Sequence, residues 1–157
     1  MSEILIISKN SALSRYFNFR KFDANYVTNE EFLDQNLSEV KCVINLGRSS
    51  NLNHFHKIIE KVSKSNLNYV HSSSISVLNK KDWNVKIYKK LKNDEEKYIK
   101  SQLAPGRYKI LRIGHIVGFE FTLSSILIKM LFDGKCYIPD KICNVVYPSE
   151  LVYLVKD

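Results

Sequence analysis

The chain opens with the stretch Ile4-Leu5-Ile6-Ile7-Ser8-Lys9-Asn10-Ser11-Ala12-Leu13-Ser14-Arg15-Tyr16-Phe17. Its first four residues are a continuous, largely β-branched apolar run, which is typical of a strand in the middle of a parallel sheet. A polar turn follows, and Leu13, Tyr16 and Phe17 then have the spacing of a helix that packs back on the sheet. Strand, turn and helix in this order predict the first unit of an α/β fold.

The same alternation continues along the whole chain. Further strands are predicted at residues 25–28, 41–47, 68–71, 108–113 and 144–147, and further helices at 30–37, 51–65, 84–102 and 121–132. Strands that alternate with helices predict a doubly wound parallel sheet of about five to six strands, with helices on both faces. A length of 157 residues predicts a single domain over 1–157.

The composition is that of a soluble globular chain, with 45% apolar and 25% charged residues. No apolar run approaches the roughly 20 residues of a membrane span, and the opening residues lack the basic leader of a signal peptide. The cysteines Cys42, Cys136 and Cys143 lack metal-type spacing and suit reduced thiols. We therefore predict a cytoplasmic protein without a metal site.

The net charge of +8 leaves three interpretations open: nucleic-acid binding, a phosphorylated small-molecule ligand, or solubility alone. Basic residues are densest from 80 to 100, where acidic residues interrupt them. The sequence has no arginine stripe, RNA-binding aromatic motif or zinc-finger spacing. We therefore do not expect nucleic acid as the partner.

A hydroxyl, a phenol and an ammonium fall close together in the predicted fold. The strand at 68–71 runs into serines that end at Ser74, and the next helix carries Tyr88 and Lys92 one turn apart on the same side. That helix is predicted from apolar residues near one face: Ile87, Leu91, Tyr98 and Ile99. Because a nearby cation favours the phenolate, such a pair can exchange a proton near neutral pH. The same spacing also fits a surface helix with a half-buried tyrosine and a solvated lysine, and both interpretations stay open.

Ligands of open parallel sheets bind at the carboxyl ends of the strands. The candidate polar residues of this chain fall at those ends: Ser8, Ser11, residues 45–48, Ser73, Ser74 and residues 114–118. This convergence predicts the ligand site at that edge of the sheet.

Five pieces of the chain, in order, resemble the extended short-chain dehydrogenases/reductases, which are NAD(P)-dependent sugar-nucleotide epimerases, dehydratases and reductases. The pieces are residues 4–17, with Ser8, Ser11 and Ser14 at the fingerprint glycine positions, then 43–47, 69–74, Tyr88-x-x-x-Lys92 with Glu96, and 111–118. The resemblance implies a Rossmann-like fold, a nucleotide-sugar substrate and NAD or NADP as the cofactor.

The resemblance also implies roles for individual residues. Tyr88 would be the acid/base, Lys92 would favour its phenolate and bind the ribose, and Ser74, with Ser73 as a second candidate, would bind the substrate oxygen. The implied cofactor-binding residues are Ser8, Asn10, Ser11, Ser14, Leu46, Gly47, Lys92, Gly114 and Ile116.

The chain also departs from the family pattern. Serines replace all three fingerprint glycines, where plain helix capping explains them equally well. The short region before 41–47 leaves no clear third strand and no obvious acidic residue for the adenosine ribose. Residues 119–150 would remain as a vestigial substrate-side region. A second interpretation is therefore a non-catalytic relative that acts as a binding or regulatory module with lost cofactor affinity. A homodimer that closes the site also stays open.

Overall fold

The computed structural model describes residues 2–47, 51–78, 86–116 and 145–156. The chain divides into two compact units, Met1–Arg112 and Ile113–Asp157. The helix predicted at 121–132, and most of the predicted substrate-side region, lie outside the described residues.

Strands and helices alternate in the first unit, as the sequence predicts. They are β1 (Ile4–Ile7), α1 (Ala12–Phe19), β2 (Asn25–Val27), α2 (Asn29–Asp34), β3 (Cys42–Asn45), α3 (Leu52–Lys64), β4 (Asn68–Ser74), a 3₁₀ turn (Ile75–Val77), α4 (Lys86–Gln102) and β5 (Tyr108–Ile113). The second unit has the parallel pair β6 (His115–Ile116) and β7 (Val145–Val146), followed by α5 (Pro148–Lys156).

The five strands β1 to β5 form a parallel sheet in the order β2-β1-β3-β4-β5. The direction of winding reverses at β1, which pairs with β2 on one side and β3 on the other. Right-handed crossovers then require α1 on one face of the sheet and α3 and α4 on the opposite face, and α3 does contact α4. The predicted doubly wound α/β class is confirmed.

This strand order is compatible with two known arrangements. It is the Rossmann order with the third strand left out, as the short region between β2 and β3 predicts. It is equally the order of flavodoxin-like sheets. In both arrangements the ligand crevice lies where the winding reverses, which is here between the carboxyl ends of β1 and β3.

Apolar side chains cover both faces of the sheet. Leu5 and Val43 pack with Phe55 of α3 in one buried cluster. Ile6 and Ile44 alternate with these strand residues, so they point to the opposite face, where they are also buried. β1 and the first three residues of β3 are therefore apolar on both faces of the sheet, which explains their continuous hydrophobic runs in the sequence.

Thr28 and Asn29 are both candidate caps of α2 in the sequence, and Thr28 is the residue that caps the helix. The Thr28 hydroxyl accepts from the Glu31 N–H at 3.1 Å, and the Glu31 carboxylate accepts from the Thr28 N–H at 2.7 Å. These two bonds form a capping box, which fixes where α2 begins.

Lys61 of α3 closes the other end of α2. Its Nζ donates to the carbonyl oxygens of Phe32, Leu33 and Gln35 at 3.0, 2.6 and 2.7 Å.

We expect Lys61→Met to lower the free energy of unfolding by about 2 kcal/mol, because a charge-assisted bond and a cation at a helix C-terminus are lost. Urea denaturation measures the loss. The control is Lys64→Met, which removes an exposed ammonium from the same helix, and an equal loss in the control would contradict the assignment.

The buried face of α4 differs from the apolar face that the sequence predicts. Ile87 is 85% exposed, whereas Leu91 and Tyr98 are half-buried. The buried residues of this helix lie three and four apart and are mostly charged: Lys92, Glu95, Glu96 and Ile99. The prediction is therefore wrong for Ile87 and right for Ile99. The rest of the buried face is charged because polar partners on β4 and β5 satisfy these charges.

Candidate functional site

The turn after β1 keeps a glycine-like backbone although it contains serines. Ser8 has a φ of 72°, in the left-handed region that glycine favours. Ser11 caps α1, and its Oγ accepts from the Ser14 N–H at 3.2 Å and bonds the Ser14 Oγ at 2.9 Å. The helix-capping interpretation is therefore confirmed for Ser11, and Ser8 has the backbone of a glycine turn, whereas the binding of a cofactor by these serines stays a prediction.

Gly47 makes room for the side chain of Ser8. A Cβ added at Gly47 would lie 2.0 Å from the Ser8 Oγ and 2.3 Å from the Ser8 Cβ. The Ser8 Oγ in turn donates to Asn29 Oδ1 at 3.0 Å. The serine side chain thus lies between the ends of β1 and β3, where the winding of the sheet reverses.

A second link ties this turn to the start of α2. The Lys9 ammonium contacts both carboxylate oxygens of Glu31, at 2.6 and 2.9 Å, and the Lys9 N–H donates to the Val27 carbonyl at 3.0 Å. Of the other predicted cofactor residues nearby, Asn10 is exposed and Leu46 is buried.

The serines at the end of β4 have different partners. The Ser73 Oγ donates to Glu96 at 2.6 Å, whereas the half-buried Ser74 Oγ accepts from the N–H and hydroxyl of Ser76 at 3.2 and 2.9 Å. Ser74 therefore turns towards the 3₁₀ turn, with which α4 is in contact. Arg112 of β5 completes the Glu96 cluster with bonds of 3.0 and 2.6 Å.

Lys92 is not solvated, so the surface-helix interpretation is wrong for this residue. Its side chain is 3% exposed, and its Nζ donates to the Ser72 carbonyl at 3.0 Å and contacts Glu95 Oε2 at 2.8 Å. Tyr88 lies one turn earlier on α4 and is half-buried. The meeting of Tyr88 with Ser74 stays a prediction.

A buried polar chain extends from Glu95, and sequence reasoning missed it. Glu95 Oε2 lies 3.1 Å from His71 Nε2, and His71 Nδ1 lies 3.5 Å from the Tyr69 hydroxyl. That hydroxyl accepts from Asn45 Nδ2 at 3.2 Å, and Asn45 Oδ1 accepts from the Gly47 N–H at 3.1 Å. This series of hydrogen bonds thus links the Lys92 side chain to Gly47, against which the Ser8 side chain packs.

The charges of the side chains in this buried polar chain follow from burial and from neighbouring groups. Burial lowers the pKa of His71 and outweighs the opposing effect of the Glu95 carboxylate, and the charge of Lys92 acts in the same direction as burial, which favours the neutral ring. Burial works to raise the pKa of Glu95, but the bond from His71 and the charge of Lys92 outweigh it and lower this pKa. Burial raises the pKa of Tyr69 far above its usual range. Glu95 is therefore the anion, and Lys92 is its counter-ion.

Two signals in the sequence could have revealed these residues. Tyr69 and His71 alternate on one strand, so they share a face. Glu95 stands three residues after Lys92, so the two share a side of the helix. Both signals were hidden because a charged residue is normally assigned to the solvent face.

The remaining predicted cofactor residues lie in the second unit. Gly114 stands between β5 and β6 and is half-buried, and Ile116 belongs to β6, where it pairs with Val146. Their role at a cofactor stays a prediction. The described residues contain no cluster of metal-ligating side chains. None of the helices among them is long and apolar enough to span a bilayer.

No protein-family model matches the sequence, and no curated protein matches it. Solved structures match its fold. A dTDP-4-dehydrorhamnose reductase from Yersinia enterocolitica gives a TM-score of 0.73 at 12% identity, over 99% of this chain and 70% of that one. A second such reductase, from Bacillus anthracis and in complex with NADP, gives 0.73 at 14% identity with the same coverage. A nucleoside-diphosphate sugar epimerase from Corynebacterium glutamicum gives 0.73 at 11% identity, over 98% of this chain and 42% of that one.

The chain has the fold of these sugar-nucleotide enzymes. The likeness covers nearly the whole chain and supports the Rossmann alternative over the flavodoxin-like one for its strand order. The predicted resemblance is therefore confirmed for the fold. Identities of 11 to 14% establish the fold alone and not the chemistry of this chain.

Proposed function

We propose that the chain is an NAD(P)-dependent enzyme of the nucleotide-sugar epimerase, dehydratase or reductase type. The observation that carries the proposal is the bond between Lys92 Nζ and the Ser72 carbonyl. It fastens α4 to the end of β4, two residues before Ser74, while Tyr88 lies one turn before Lys92. The three groups of the proposed proton relay thus belong to two elements that are joined directly.

Each residue then has a distinct role. Tyr88 exchanges a proton with the substrate oxygen, Lys92 favours the phenolate form of Tyr88 through its positive charge, and Ser74 orients the oxygen with a hydrogen bond. A bound nicotinamide would supply the hydride acceptor or donor for the matching carbon.

In the proposal, a dinucleotide binds at the turn after β1. Ser8 keeps the left-handed backbone of a glycine turn, and Gly47 accommodates its side chain. In this proposal Ser8, Asn10, Ser11 and Ser14 hold the pyrophosphate at the N-terminus of α1. The remaining contacts come from Leu46, Gly47, Lys92, Gly114 and Ile116. One of the similar reductases is in complex with NADP.

Titration with nicotinamides tests the proposal. We expect NADH or NADPH to raise the stability of the protein by about 2.7 kcal/mol at a hundred times its dissociation constant. Thermal shift and calorimetry measure this effect, with adenosine as the control for binding of the base alone. The absence of any thermal shift with millimolar NADH or NADPH would reject an NAD(P)-dependent enzyme.

A second candidate function is a binding or regulatory module without turnover. It is supported by the burial of Lys92, whose ammonium is already bonded to Glu95 and to a carbonyl. It is also supported by the Ser8 side chain, which fills space at the ends of β1 and β3. Stabilisation by a UDP-, dTDP- or GDP-sugar together with no response to nicotinamides would favour this candidate.

The proposal also includes a cytoplasmic location and a homodimer in which the second subunit closes the substrate side. Light scattering of the purified protein, with and without nucleotide sugar, tests the dimer. A monomer under both conditions would remove that part of the proposal.

A further inference from the structure

We propose that Glu95 is a positioning residue for Lys92, and that a directed hydrogen-bond chain through His71, Tyr69 and Asn45 holds Glu95 in place. The inference rests on the proposed function, in which Lys92 acts on Tyr88. It assigns a role in the proposed site to residues of β3, β4 and α4 that do not touch the substrate. That role is to hold Lys92 in position through the buried polar chain.

The donor and acceptor roles along the chain have one consistent assignment. Lys92 can only donate, so Glu95 Oε2 accepts from it, and the ionised Glu95 must also accept from His71 Nε2. A neutral His71 that carries its proton on Nε2 accepts on Nδ1 from the Tyr69 hydroxyl. Tyr69 then accepts from Asn45, whose side-chain oxygen is already used by the Gly47 N–H.

The fold explains why these residues meet. Asn45 pairs with His71 in the register of β3 and β4, and Tyr69 lies two residues before His71, so all three share one face of the sheet. That face carries α4, where Lys92 and Glu95 are i and i+3. The side chains therefore converge without any departure from regular strand and helix geometry.

Burial makes the pair electrostatically strong. Glu95 is 0% exposed and Lys92 2% exposed, so water screens their attraction weakly. Glu96 is also buried nearby, but Arg112 and Ser73 neutralise and bond its carboxylate. The charge that faces Lys92 is therefore that of Glu95.

The second carboxylate oxygen of Glu95 permits a sharp test. Oε1 is buried and has no hydrogen-bond partner in the described part of the chain. In Glu95→Gln the amide oxygen can occupy the place of Oε2 and accept both bonds, while the amide nitrogen occupies the place of Oε1. The variant thus retains the shape and both bonds at Oε2 and removes the charge, while the amide nitrogen is buried without an acceptor among the described residues.

The experiment is side-chain NMR of the whole chain with isotope-labelled lysine. In Glu95→Gln we expect the chemical shift of the Lys92 Nζ signal to change, because the buried ammonium no longer faces a carboxylate. Glu60→Gln, an exposed glutamate on α3, is the matched control and should leave the Lys92 signal unchanged. An unchanged Lys92 Nζ signal in folded Glu95→Gln would overturn the inference.

A second variant keeps the proposal testable if Glu95→Gln does not fold. Tyr69→Phe removes only the hydroxyl that donates to His71 Nδ1. We expect the ring-nitrogen signals of wild-type His71 to show a proton on Nε2, and those of Tyr69→Phe to show a shift at Nδ1. A wild-type ring with its proton on Nδ1 would overturn the directed chain.

These NMR results are independent of turnover, so the two proposals can fail separately. A protein that binds no nicotinamide but shows the Lys92 shift keeps the positioning pair and loses the proposed function. A protein that binds nicotinamide without the shift keeps the function and loses the positioning role of Glu95.

Discussion

Replacing Gly47 with alanine is expected to lower the free energy of unfolding by about 3 kcal/mol or more, because the new methyl group would overlap the Ser8 side chain. The overlapping atoms lie 2.0 and 2.3 Å from the ideal Cβ position. The nearer one is held by its bond to Asn29, and the farther one is fixed to the Ser8 backbone. The Oγ can rotate away only if it gives up that bond, and the Cβ cannot move without a shift of the turn. In a chain of this length the melting temperature should fall by roughly 6–12 °C.

The same contact predicts a rescue. Ser8→Gly removes both overlapping atoms and relieves the left-handed φ of 72°, which offsets the lost bond to Asn29, so alone it should change stability by no more than about 1 kcal/mol. The double variant Ser8→Gly/Gly47→Ala should therefore recover about 2 kcal/mol or more of the Gly47→Ala loss. Chemical denaturation of all four proteins completes the cycle.

Gly106 provides the matched control for this cycle. Its φ is +92°, and an added Cβ would meet nothing within 4 Å. Gly106→Ala should therefore cost about 1 kcal/mol through backbone strain alone, and Ser8→Gly should not restore it. Additive effects of Ser8→Gly and Gly47→Ala would mean that the two residues do not share the space between β1 and β3.

The elements of the fold could be predicted because each carries a local signal. Continuous apolar runs gave β1 and β3, and Thr28 marked the start of α2. The contact between Ser8 and Gly47 has no such signal, because it joins two turns that only the strand order brings together. Both residues were predicted as cofactor contacts, but their direct packing against each other could not be foreseen.

The buried charges of α4 resisted prediction for a different reason. Hydrophobic patterning assigns a lysine or glutamate to the solvent face, and it is right for most helices. Here Glu95 finds His71 on a strand 24 residues earlier in the chain. Burial of the charge depends on that distant partner, so the segment alone could not show that Ile87 would be exposed in its place.

The largest effect on chemistry is expected from Tyr88→Phe, which should lower turnover of the proposed enzyme by about 10²–10⁴-fold. The substitution removes the only proton that the ring can exchange, while the ring itself still packs at its half-buried position. Stability and nicotinamide affinity should therefore stay close to the wild-type values. Steady-state kinetics with a nucleotide sugar and nicotinamide measure the change, which should fall on kcat.

Tyr98→Phe separates this effect from a general loss of a hydroxyl on α4. Tyr98 is also half-buried, but its hydroxyl donates to Glu60 on α3, away from the end of β4. Its removal should leave kcat unchanged. Equal activity of Tyr88→Phe and the wild type would exclude Tyr88 from the chemistry. Lys92 is bonded to Ser72 and Glu95 and does not need Tyr88 to hold its place. The buried Lys92–Glu95 pair would then have to be explained by its contribution to stability.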